Sequence, residues 1–342
     1  MVSLSPMEKK FLEGLNQLLQ APKKIVVLPH RNPDGDALGS TLAWMHFLQA
    51  KGHQAVVISP NEYPSFLDWL PGQGQIIKFN QKTELALQHI EAADLIFTLD
   101  FNDLSRVEEM EAEVKAASAV KIMIDHHENP SDYATLMYSK PGMSSTCEMV
   151  YDLIAALDAT AFNPEIANCL YTGIMTDTGS FRFPSTTSAT HKAIAALIDA
   201  GAKGSDIHQQ IYDTAHFSRI QLLGLTLSKI HKIEGTPVVY MYLTQEELNR
   251  FNYQKGDTEG FVNYGLNLEG IVFSAIMIEN QREGKIKMSF RSQGAFSVNE
   301  FAKTYFSGGG HHNAAGGMSL TSMEDTIKRF EQAVLENKAK FE

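Results

Sequence analysis

The first 200 or so residues alternate short apolar runs with longer stretches of helical periodicity. The apolar runs are continuous, which is typical of strands buried on both faces of a parallel sheet. They predict four strands at residues 24–28, 55–59, 95–99 and 120–124, with a helix at 38–50. This rhythm favours an α/β domain in which crossover helices connect parallel strands.

Helical periodicity continues beyond the predicted sheet. It predicts three helices and a more polar helical stretch, at residues 145–157, 164–175, 188–200 and 205–231. Gly201 follows the third helix, at a position where glycine commonly ends a helix. The polar stretch carries few turn signals and is therefore a candidate connection between two lobes.

After residue 235 the pattern predicts a smaller α+β domain. Its expected elements are a strand at 237–243, a short helix at 245–251, a hairpin of 271–279 with 285–291, and helices at 298–305 and 325–340. The chain is thus predicted to hold a parallel-sheet domain at residues 1–201, a helical linker at 202–235 and the α+β domain at 236–342.

Composition limits the kinds of partner. The net charge of −11 argues against long duplex nucleic acid, whose binders usually carry a broad basic face. A small anionic substrate is compatible with this charge if divalent cations neutralise several aspartates. The sequence leaves the oligomeric state open, with a homodimer as one candidate.

The sequence has the features neither of a membrane protein nor of a disulfide-rich secreted one. Its apolar runs are far shorter than the roughly 20 residues that a bilayer-spanning helix needs. Residues 1–20 show amphipathic helical spacing without a small-residue cleavage site, and predict a first helix rather than a signal peptide. Because the only cysteines, Cys147 and Cys169, form no CxxC pair, a reducing cytoplasm is the simplest compartment.

Side chains that could bind a metal or take part in catalysis are concentrated where the predicted strands end. The first strand runs into His30, Asp34 and Asp36, an imidazole and two carboxylates within seven residues. In open α/β sheets ligands bind at the carboxyl ends of strands, and this donor set suits a hard divalent cation. The alternative is a simple turn before a helix, with Asp36 near the helix N-terminus as a cap.

Three further groups lie at the ends of predicted elements: Asp100, the run Asp125-His126-His127, and Asp177. Each alone could be a turn, a cap or an exposed polar loop. Together with the first group they form one mixed donor set on what is predicted to be a single rim. This set predicts two octahedral divalent ions, with Mn²⁺ as first choice and Mg²⁺ or Co²⁺ as substitutes. The expected ligands are His30, Asp34, Asp36, Asp100, His126 and Asp177.

Two such ions about 3.5 to 4 Å apart can activate water and stabilise an in-line displacement at phosphorus. The donor set therefore predicts a two-metal phosphoesterase. Nearby polar residues are less informative. Arg106 and Arg182 could contact substrate or serve only surface solubility, and Ser144, Ser145 and Thr146 are better explained as helix caps than as phosphate ligands.

The four groups resemble the motifs of the DHH phosphoesterase superfamily, named after the run seen here at residues 125–127. Residues 30–40 are similar to the first motif, Asp100 to the second and residues 173–179 to the fourth. The glycine-rich stretch at 308–317 resembles the Gly-Gly-Gly-His motif of the C-terminal domain called DHHA1. The resemblance covers almost the whole chain.

The resemblance implies two groups of metal ligands that share a bridging Asp100: His30 with Asp34, and Asp36 with His126 and Asp177. His127 would face the substrate phosphate and form the catalytic pair with Asp100, while Asp125 would orient an imidazole. In the second domain, consecutive glycines let backbone amides approach a phosphate. The implied substrate-binding residues there are Arg291, Ser292, Gly309, Gly310, His311 and His312.

The combination of domains looks most like the nanoRNase and pAp phosphatase group. That group degrades very short oligoribonucleotides and removes the 3′-phosphate of adenosine bisphosphate, so the resemblance implies a metal-dependent phosphoesterase with such substrates. Three alternatives stay open: a cyclic-dinucleotide phosphodiesterase, an exopolyphosphatase or pyrophosphatase-like hydrolase, and a non-catalytic nucleotide sensor.

Overall fold

A computed structural model describes residues 6–341, with side chains from Glu8 onwards. The chain divides into two compact units, with the boundary between Thr214 and Ala215. This boundary falls inside the stretch 202–235, whose assignment as a linker stays a prediction. No helix in the described part of the chain is long and apolar enough to cross a membrane.

The first unit is built on a six-stranded parallel sheet. Its strands are β1 (Lys24–Leu28), β2 (Gln54–Ser59), β3 (Ile77–Lys78), β4 (Leu95–Leu99), β5 (Val120–Asp125) and β6 (Leu136–Ser139). They lie in the order β3-β2-β1-β4-β5-β6, and every neighbouring pair is parallel. The predicted parallel-sheet domain is confirmed, and β3 and β6 are two strands that the sequence did not predict.

Helices flank this sheet. They are α1 (Pro6–Leu18), α2 (Gly35–Ala50), α3 (Thr83–Glu91), α4 (Glu111–Ala116), α5 (Thr146–Asp158), α6 (Pro164–Asp177), α7 (Ser188–Asp199) and α8 (Gly204–Tyr212). The predicted helices at 145–157, 164–175 and 188–200 are confirmed within two residues at each end. Gly201 follows α7 with a left-handed φ of 105°, as the sequence predicted.

Alternate residues of β1 show that both faces of the sheet are covered. Ile25 and Val27 pack into a core with α2, α5 and α6. Val26 and Leu28 pack into a second core with α3 and α4. Burial on both sides explains why the strand sequence is a continuous apolar run.

Helices α2 and α6 approach each other closely because glycines face the contact. A Cβ atom added at Gly39 would lie 2.5 Å from the carbonyl oxygen of Cys169. A Cβ atom added at Gly173 would lie 2.8 Å from Oδ1 of Asp36. The first turn of α2 and the last turn of α6 are thereby held together, and these turns carry Asp36 and Asp177.

Side-chain caps account for where α6 and α7 begin. Asn163 accepts the backbone N–H of Ile166, and Pro164 occupies the first turn of α6, where its missing N–H is not needed. Thr187 and Thr190 form a reciprocal capping box at the start of α7. The sequence therefore specifies these helix starts locally.

The second unit contains a six-stranded mixed sheet. Its strands are β7 (His231–Lys232), β8 (Val238–Leu243), β9 (Phe273–Asn280), β10 (Lys285–Ser292), β11 (Gly309–His311) and β12 (Ala314–Ser319). Their order is β11-β12-β10-β9-β8-β7, with β8 and β9 parallel and the other neighbours antiparallel. Its helices are α9 (Phe217–Ser228), α10 (Gln245–Arg250), α11 (Val298–Tyr305) and α12 (Met323–Glu336).

The predicted α+β architecture of this unit is confirmed, including the hairpin of β9 with β10 and the helix α11. An aromatic core holds it together, in which the Phe273 ring lies 6.0 Å from that of Phe290 and 5.1 Å from that of Phe301. Aromatic side chains bury large apolar areas, so they suit the core of so small a unit.

Two segments differ from the sequence-based picture. The stretch at 205–231 is not one helical segment, because α8 ends at Tyr212 and α9 begins at Phe217. His216 caps α9 by accepting the N–H of Arg219 at 3.2 Å, so a new helix starts there. The glycine-rich stretch forms β11 and β12, and Gly310 is required because its φ is 151° and an added Cβ would lie 2.5 Å from the oxygen of Ala314.

Candidate metal centre

His30 and Asp34 follow β1. The His30 ring is buried and fixed by its Nδ1, which lies 2.8 Å from the carbonyl oxygen of Arg31. Its Nε2 lies 3.5 Å from Oδ2 of Asp100. Asp34 caps α2, since its Oδ1 accepts the N–H groups of Asp36 and Ala37 at 3.0 and 3.1 Å. The alternative in which Asp36 caps this helix is therefore wrong.

Asp36 lies in the first turn of α2 and is 1% exposed. Its two carboxylate oxygens accept the backbone N–H groups of Thr146 at 2.7 Å and Cys147 at 2.8 Å. These are the first residues of α5, where unsatisfied N–H groups and the helix dipole stabilise negative charge. The N-terminus of α5 therefore fixes the orientation of the Asp36 carboxylate.

Asp100 directly follows β4, with a left-handed φ of 66°. Its buried carboxylate places one oxygen near each of two imidazoles. Oδ1 lies 3.4 Å from Nε2 of His126, and Oδ2 lies 3.5 Å from Nε2 of His30. Ligand atoms of His30, Asp34 and Asp100 lie within 4.8 Å of one another, and so do those of Asp36, Asp100 and His126. Asp100 is the member that these two groups share.

His126 follows β5, and its Nδ1 lies 3.2 Å from the carbonyl oxygen of Met143. Donation from Nδ1 to a carbonyl would make Nε2 the nitrogen that binds a metal, which is the usual arrangement of a ligating histidine. This Nε2 lies 3.5 Å from Oδ2 of Asp177 and 3.8 Å from Oδ2 of Asp36. Asp177, the last residue of α6, thereby joins the second group.

Asp125 and His127 form a dyad beside this cluster. Nδ1 of His127 lies 2.7 Å from Oδ1 of Asp125, and the Asp125 side chain is fully buried at the end of β5. The other oxygen, Oδ2, is buried without a hydrogen bond within the described residues. The sequence left open which imidazole Asp125 contacts, and in the structure it is that of His127.

The pKa values of the clustered carboxylates and imidazoles are shifted by burial and by the charges of their neighbours. Burial, together with Asp100 and Asp177, raises the pKa of Asp36 well above its usual value. Burial also raises the pKa of Asp177, to about 6. Against the effect of burial, the neighbouring aspartates raise the pKa of both His126 and His30. Hydrogen bonds from these two histidines overcome burial and lower the pKa of Asp100 well below its usual value.

This donor set fits a pair of divalent cations. Buried carboxylates need compensating positive charge. The cluster holds the four carboxylates of Asp34, Asp36, Asp100 and Asp177, whose charge two divalent ions would balance. Oxygen and imidazole ligands without thiolate suit Mn²⁺, Mg²⁺ or Co²⁺ rather than softer ions. The structure thus brings together all six predicted ligands, and these acidic and histidine groups can bind metal.

Two supporting residues were not recognised as such from the sequence. The hydroxyl of Thr146 donates to Oδ1 of Asp100 at 3.0 Å, and the carbonyl of Met143 accepts from His126. The helix cap in this segment is Ser145, which accepts the N–H of Glu148 at 3.0 Å. No local pattern signals the Thr146 contact, because Asp100 lies 46 residues earlier in the chain.

The residues implied to bind substrate in the second unit lie at one end of its sheet. Arg291 on β10 and His311 on β11 both pair with Ala314 on β12, so the three form one row across the strands. Residues directly opposite each other in antiparallel strands share a face of the sheet. Arg291 and His311 are therefore on the same face.

The other implied residues have structural partners. The Ser292 hydroxyl donates to the carbonyl of Phe296 at 2.6 Å. The N–H of Gly310, next to Gly309 on β11, donates to Oδ1 of Asn299 at 3.1 Å. His312 is exposed, and its carbonyl accepts the N–H of Val298 at 2.8 Å. Their role in substrate binding stays a prediction.

Two family models match the chain. The model of the DHH family, N-terminal domain, matches residues 24–174, and that of the DHHA1 domain matches residues 235–337. The chain belongs to the DHH/DHHA1 phosphoesterase superfamily. The resemblance inferred from the motifs is confirmed, and this superfamily member is a hydrolase acting on phosphoester bonds.

Relatives with similar sequences support the nanoRNase-like group. It is 30% identical over 313 residues to the bifunctional oligoribonuclease and PAP phosphatase NrnA of Thermus thermophilus, covering 91% of this chain and 89% of that protein. It is 25% identical over 353 residues to the cyclic-di-AMP phosphodiesterase PdeA of Listeria monocytogenes, covering 96% of this chain and 51% of that protein.

A solved structure shares the whole fold. The crystal structure of an exopolyphosphatase-related protein from Bacteroides fragilis superimposes with a TM-score of 0.94 at 38% identity, covering 99% of both chains. Both units of the fold described above thus occur together in that protein.

Proposed function

We propose that this protein is a two-metal phosphoesterase that hydrolyses short oligoribonucleotides and 3′,5′-adenosine bisphosphate. The observation that carries the proposal is the position of Asp100 between two groups of ligands, 3.5 Å from Nε2 of His30 on one side and 3.4 Å from Nε2 of His126 on the other. The name of the Thermus thermophilus relative includes both activities and supports this substrate class.

The distances between ligand atoms divide the proposed ligands into two groups, one for each ion. One ion would be held by His30, Asp34 and Asp100, and the other by Asp36, Asp100, His126 and Asp177. Mn²⁺ is the proposed metal because carboxylate with imidazole suits it, and Mg²⁺ or Co²⁺ would substitute. When bound, the two ions would supply an activated water molecule and charge neutralisation at the phosphoryl group.

The protein's own groups prepare the site before substrate arrives. The backbone N–H groups of Thr146 and Cys147 orient Asp36, and the carbonyl of Met143 orients His126. Ligands held in place in this way lose little freedom when they bind a cation.

We assign the contact with the substrate phosphate to His127. Asp125 holds its ring through Nδ1 at 2.7 Å, so Nε2 is the atom that would contact a phosphate oxygen. In the protonated state, Nε2 would donate a hydrogen bond to that oxygen, or a proton to the leaving oxygen. Asp125 acts through His127 and fixes its orientation.

The second domain is proposed to bind the end of the substrate away from the cleaved bond. Arg291 and His311 lie in one row on one face of the sheet and offer cationic or hydrogen-bonding groups to a phosphate. The remaining proposed contacts are Ser292, Gly309, Gly310 and His312. Contacts of this kind with a short substrate would not need a broad basic groove, in keeping with the net charge of −11.

The bridging role of Asp100 is tested by Asp100→Ala, with Asp132→Ala as the matched control because Asp132 is exposed and belongs to no candidate metal group of the described chain. Calorimetry should detect two Mn²⁺ ions per wild-type chain and fewer in Asp100→Ala. Turnover of pApA should fall by more than about 100-fold, the upper end for residues that only support a metal ligand. Near-normal turnover in Asp100→Ala would refute the proposal.

The substrate class is tested by comparing pApA, 3′,5′-adenosine bisphosphate, cyclic-di-AMP and polyphosphate with Mn²⁺. The first two should have the highest kcat/KM. Cyclic-di-AMP is the second candidate, because the PdeA relative matches 96% of this chain. A preference for cyclic-di-AMP or polyphosphate would overturn the proposed substrate, and binding without turnover would indicate a sensor. The cytoplasmic location and a homodimer stay predictions.

A further inference from the structure

Three consecutive left-handed residues follow the last candidate metal ligand. After Asp177, the φ angles of Gly179, Ser180 and Phe181 are 57°, 61° and 66°. Glycine adopts such angles easily, but serine and especially phenylalanine do so rarely. Backbone strain of this kind persists where the surrounding structure enforces it, and it is concentrated at functional sites.

Several contacts hold this turn rigidly. The N–H of Ser180 donates to the oxygen of Met175 at 2.8 Å, and that of Phe181 to the hydroxyl of Thr178 at 3.0 Å. The Ser180 hydroxyl lies 3.0 Å from Nε2 of His208. The turn is therefore fixed both to α6 and to α8, and the residues that follow it have a defined position.

The turn presents Arg182 and Phe183, which are both exposed. Their backbone N–H groups donate to the carbonyl oxygen of Thr178, each at 3.0 Å. Thr178 is the residue next to Asp177, so the backbone of the pair is hydrogen-bonded to the immediate neighbour of a candidate metal ligand. Nε of Arg182 donates to the oxygen of Gly179 at 2.8 Å, and its guanidinium forms no ion pair within the described residues.

The ring of Phe183 is supported from one side and accessible from another. It lies against Gly179, where an added Cβ would be 2.5 Å from Cζ and 2.7 Å from Cε1. No aromatic ring of the described chain stacks on Phe183, and 36% of the residue is exposed. Because Gly179 has no side chain, the Phe183 ring can pack directly against the backbone of the turn.

A supported aromatic ring beside a guanidinium is well suited to a nucleotide. Bases stack on aromatic side chains irrespective of sequence, while arginine pairs with the phosphate. We propose that Phe183 and Arg182 form a nucleoside-phosphate subsite beside the metal centre, in which Phe183 stacks on a base and Arg182 contacts a phosphate oxygen. This inference rests on the proposed function and explains how the site would distinguish nucleotides from polyphosphate.

The test uses pApA and an abasic analogue with the same phosphates. In Phe183→Ala, KM for pApA should rise about tenfold or more, since stacking on one aromatic side chain contributes strongly to affinity. KM for the abasic analogue should stay within about twofold of wild type. Phe183→Trp should retain a low KM for pApA, and Arg182→Ala should raise KM for both substrates.

Leu85→Ala is the matched control, because Leu85 is 40% exposed on α3, a helix without candidate ligands. Thermal unfolding verifies that every variant is folded. An unchanged KM for pApA in Phe183→Ala would overturn the inference, and so would an equal rise for both substrates, which would mean that the ring only supports the turn. If wild type hydrolyses neither substrate, the proposed function itself fails.

Discussion

The hydroxyl of Thr146 donates a hydrogen bond to Oδ1 of Asp100 at 3.0 Å. The backbone N–H of the same residue donates to Oδ2 of Asp36 at 2.7 Å. One residue in the first turn of α5 thus contacts the shared carboxylate of Asp100 and a candidate ligand of the second group, Asp36. Because the bond is made to Oδ1 alone, it helps to orient Asp100 with its other oxygen towards His30.

We expect Thr146→Val to weaken metal binding without unfolding the protein. Valine keeps the shape of threonine but removes the hydroxyl, so Asp100 would lose an orienting contact. Loss of a residue that supports a metal ligand typically costs about 10- to 100-fold in affinity or activity. Calorimetric titration with Mn²⁺ should show this loss of affinity in Thr146→Val. The loss should be much smaller in Thr146→Ser, which keeps the hydroxyl.

Thr160→Val is the control for this prediction, because Thr160 is exposed beyond the other end of α5. Its Mn²⁺ affinity should equal that of wild type. Equal affinities in Thr146→Val and wild type would mean that the backbone contacts alone orient the ligands.

Gly39→Ala should destabilise the first domain. The added Cβ would lie 2.5 Å from the oxygen of Cys169 and 3.0 Å from Sγ of Cys147, and the backbone oxygen cannot move without shifting α6. Overpacking of this kind typically costs about 1 to 3 kcal/mol. Urea unfolding should show the decrease in the free energy of unfolding.

Gly74→Ala is the matched control, because an added Cβ there meets no atom within 4 Å. Its stability should be close to that of wild type. If the two variants were equally stable, the close packing of α2 on α6 would not depend on Gly39.

Asp152→Asn should stabilise the protein at neutral pH. Burial and the nearby Glu148 raise the pKa of Asp152 to about 6, from 3.8 in an unfolded chain. The folded state therefore binds this proton more tightly than the unfolded state, so stability falls as pH rises from about 4 to 6. Asparagine mimics the protonated side chain and avoids this loss, which amounts to at most about 3 kcal/mol.

Unfolding measured between pH 4 and 8 checks the prediction. The difference between Asp152→Asn and wild type should be small at pH 4 and reach its full size above pH 6. A difference of the same size at every pH would show that ionisation of Asp152 does not affect stability. Asp132→Asn, at an exposed position, should follow wild type throughout.

The sequence was most informative for elements whose composition is determined by a single physical requirement, such as burial. The strands β1, β4 and β5 are buried on both faces, so they appear as continuous apolar runs. Ligands bind at the carboxyl ends of the strands of a parallel sheet. His30, Asp100 and His126 follow three such strands, and their joint occurrence with the other donors led to the predicted ligand set. Helical periodicity likewise predicted α6 and α7, and their starts are fixed by caps adjacent in the sequence.

The sequence was uninformative where an element is short or where a contact joins distant residues. The strand β3 has two residues and β6 has four, too few for a periodic pattern. The break between α8 and α9 depends on the cap formed by His216, a residue type that rarely signals a helix start. Two histidines follow Asp125 in the sequence, and only the positions of their rings in the fold determine that His127 is its partner.

In the strand order β3-β2-β1-β4-β5-β6, β1 and β4 lie side by side in the middle of the sheet. From β1 the chain adds strands towards one edge, and from β4 it adds strands towards the other. After β1 the chain continues to α2, on the face of the first core, whereas after β4 it continues to Val107 and Val114, on the opposite face. Two connections that leave neighbouring strands towards opposite faces open a crevice between them, the topological switch point of the sheet. His30 and Asp100 lie just past these two strand ends. The separation of these two residues, and with it the room for the proposed cations, is therefore set by the connectivity of the chain.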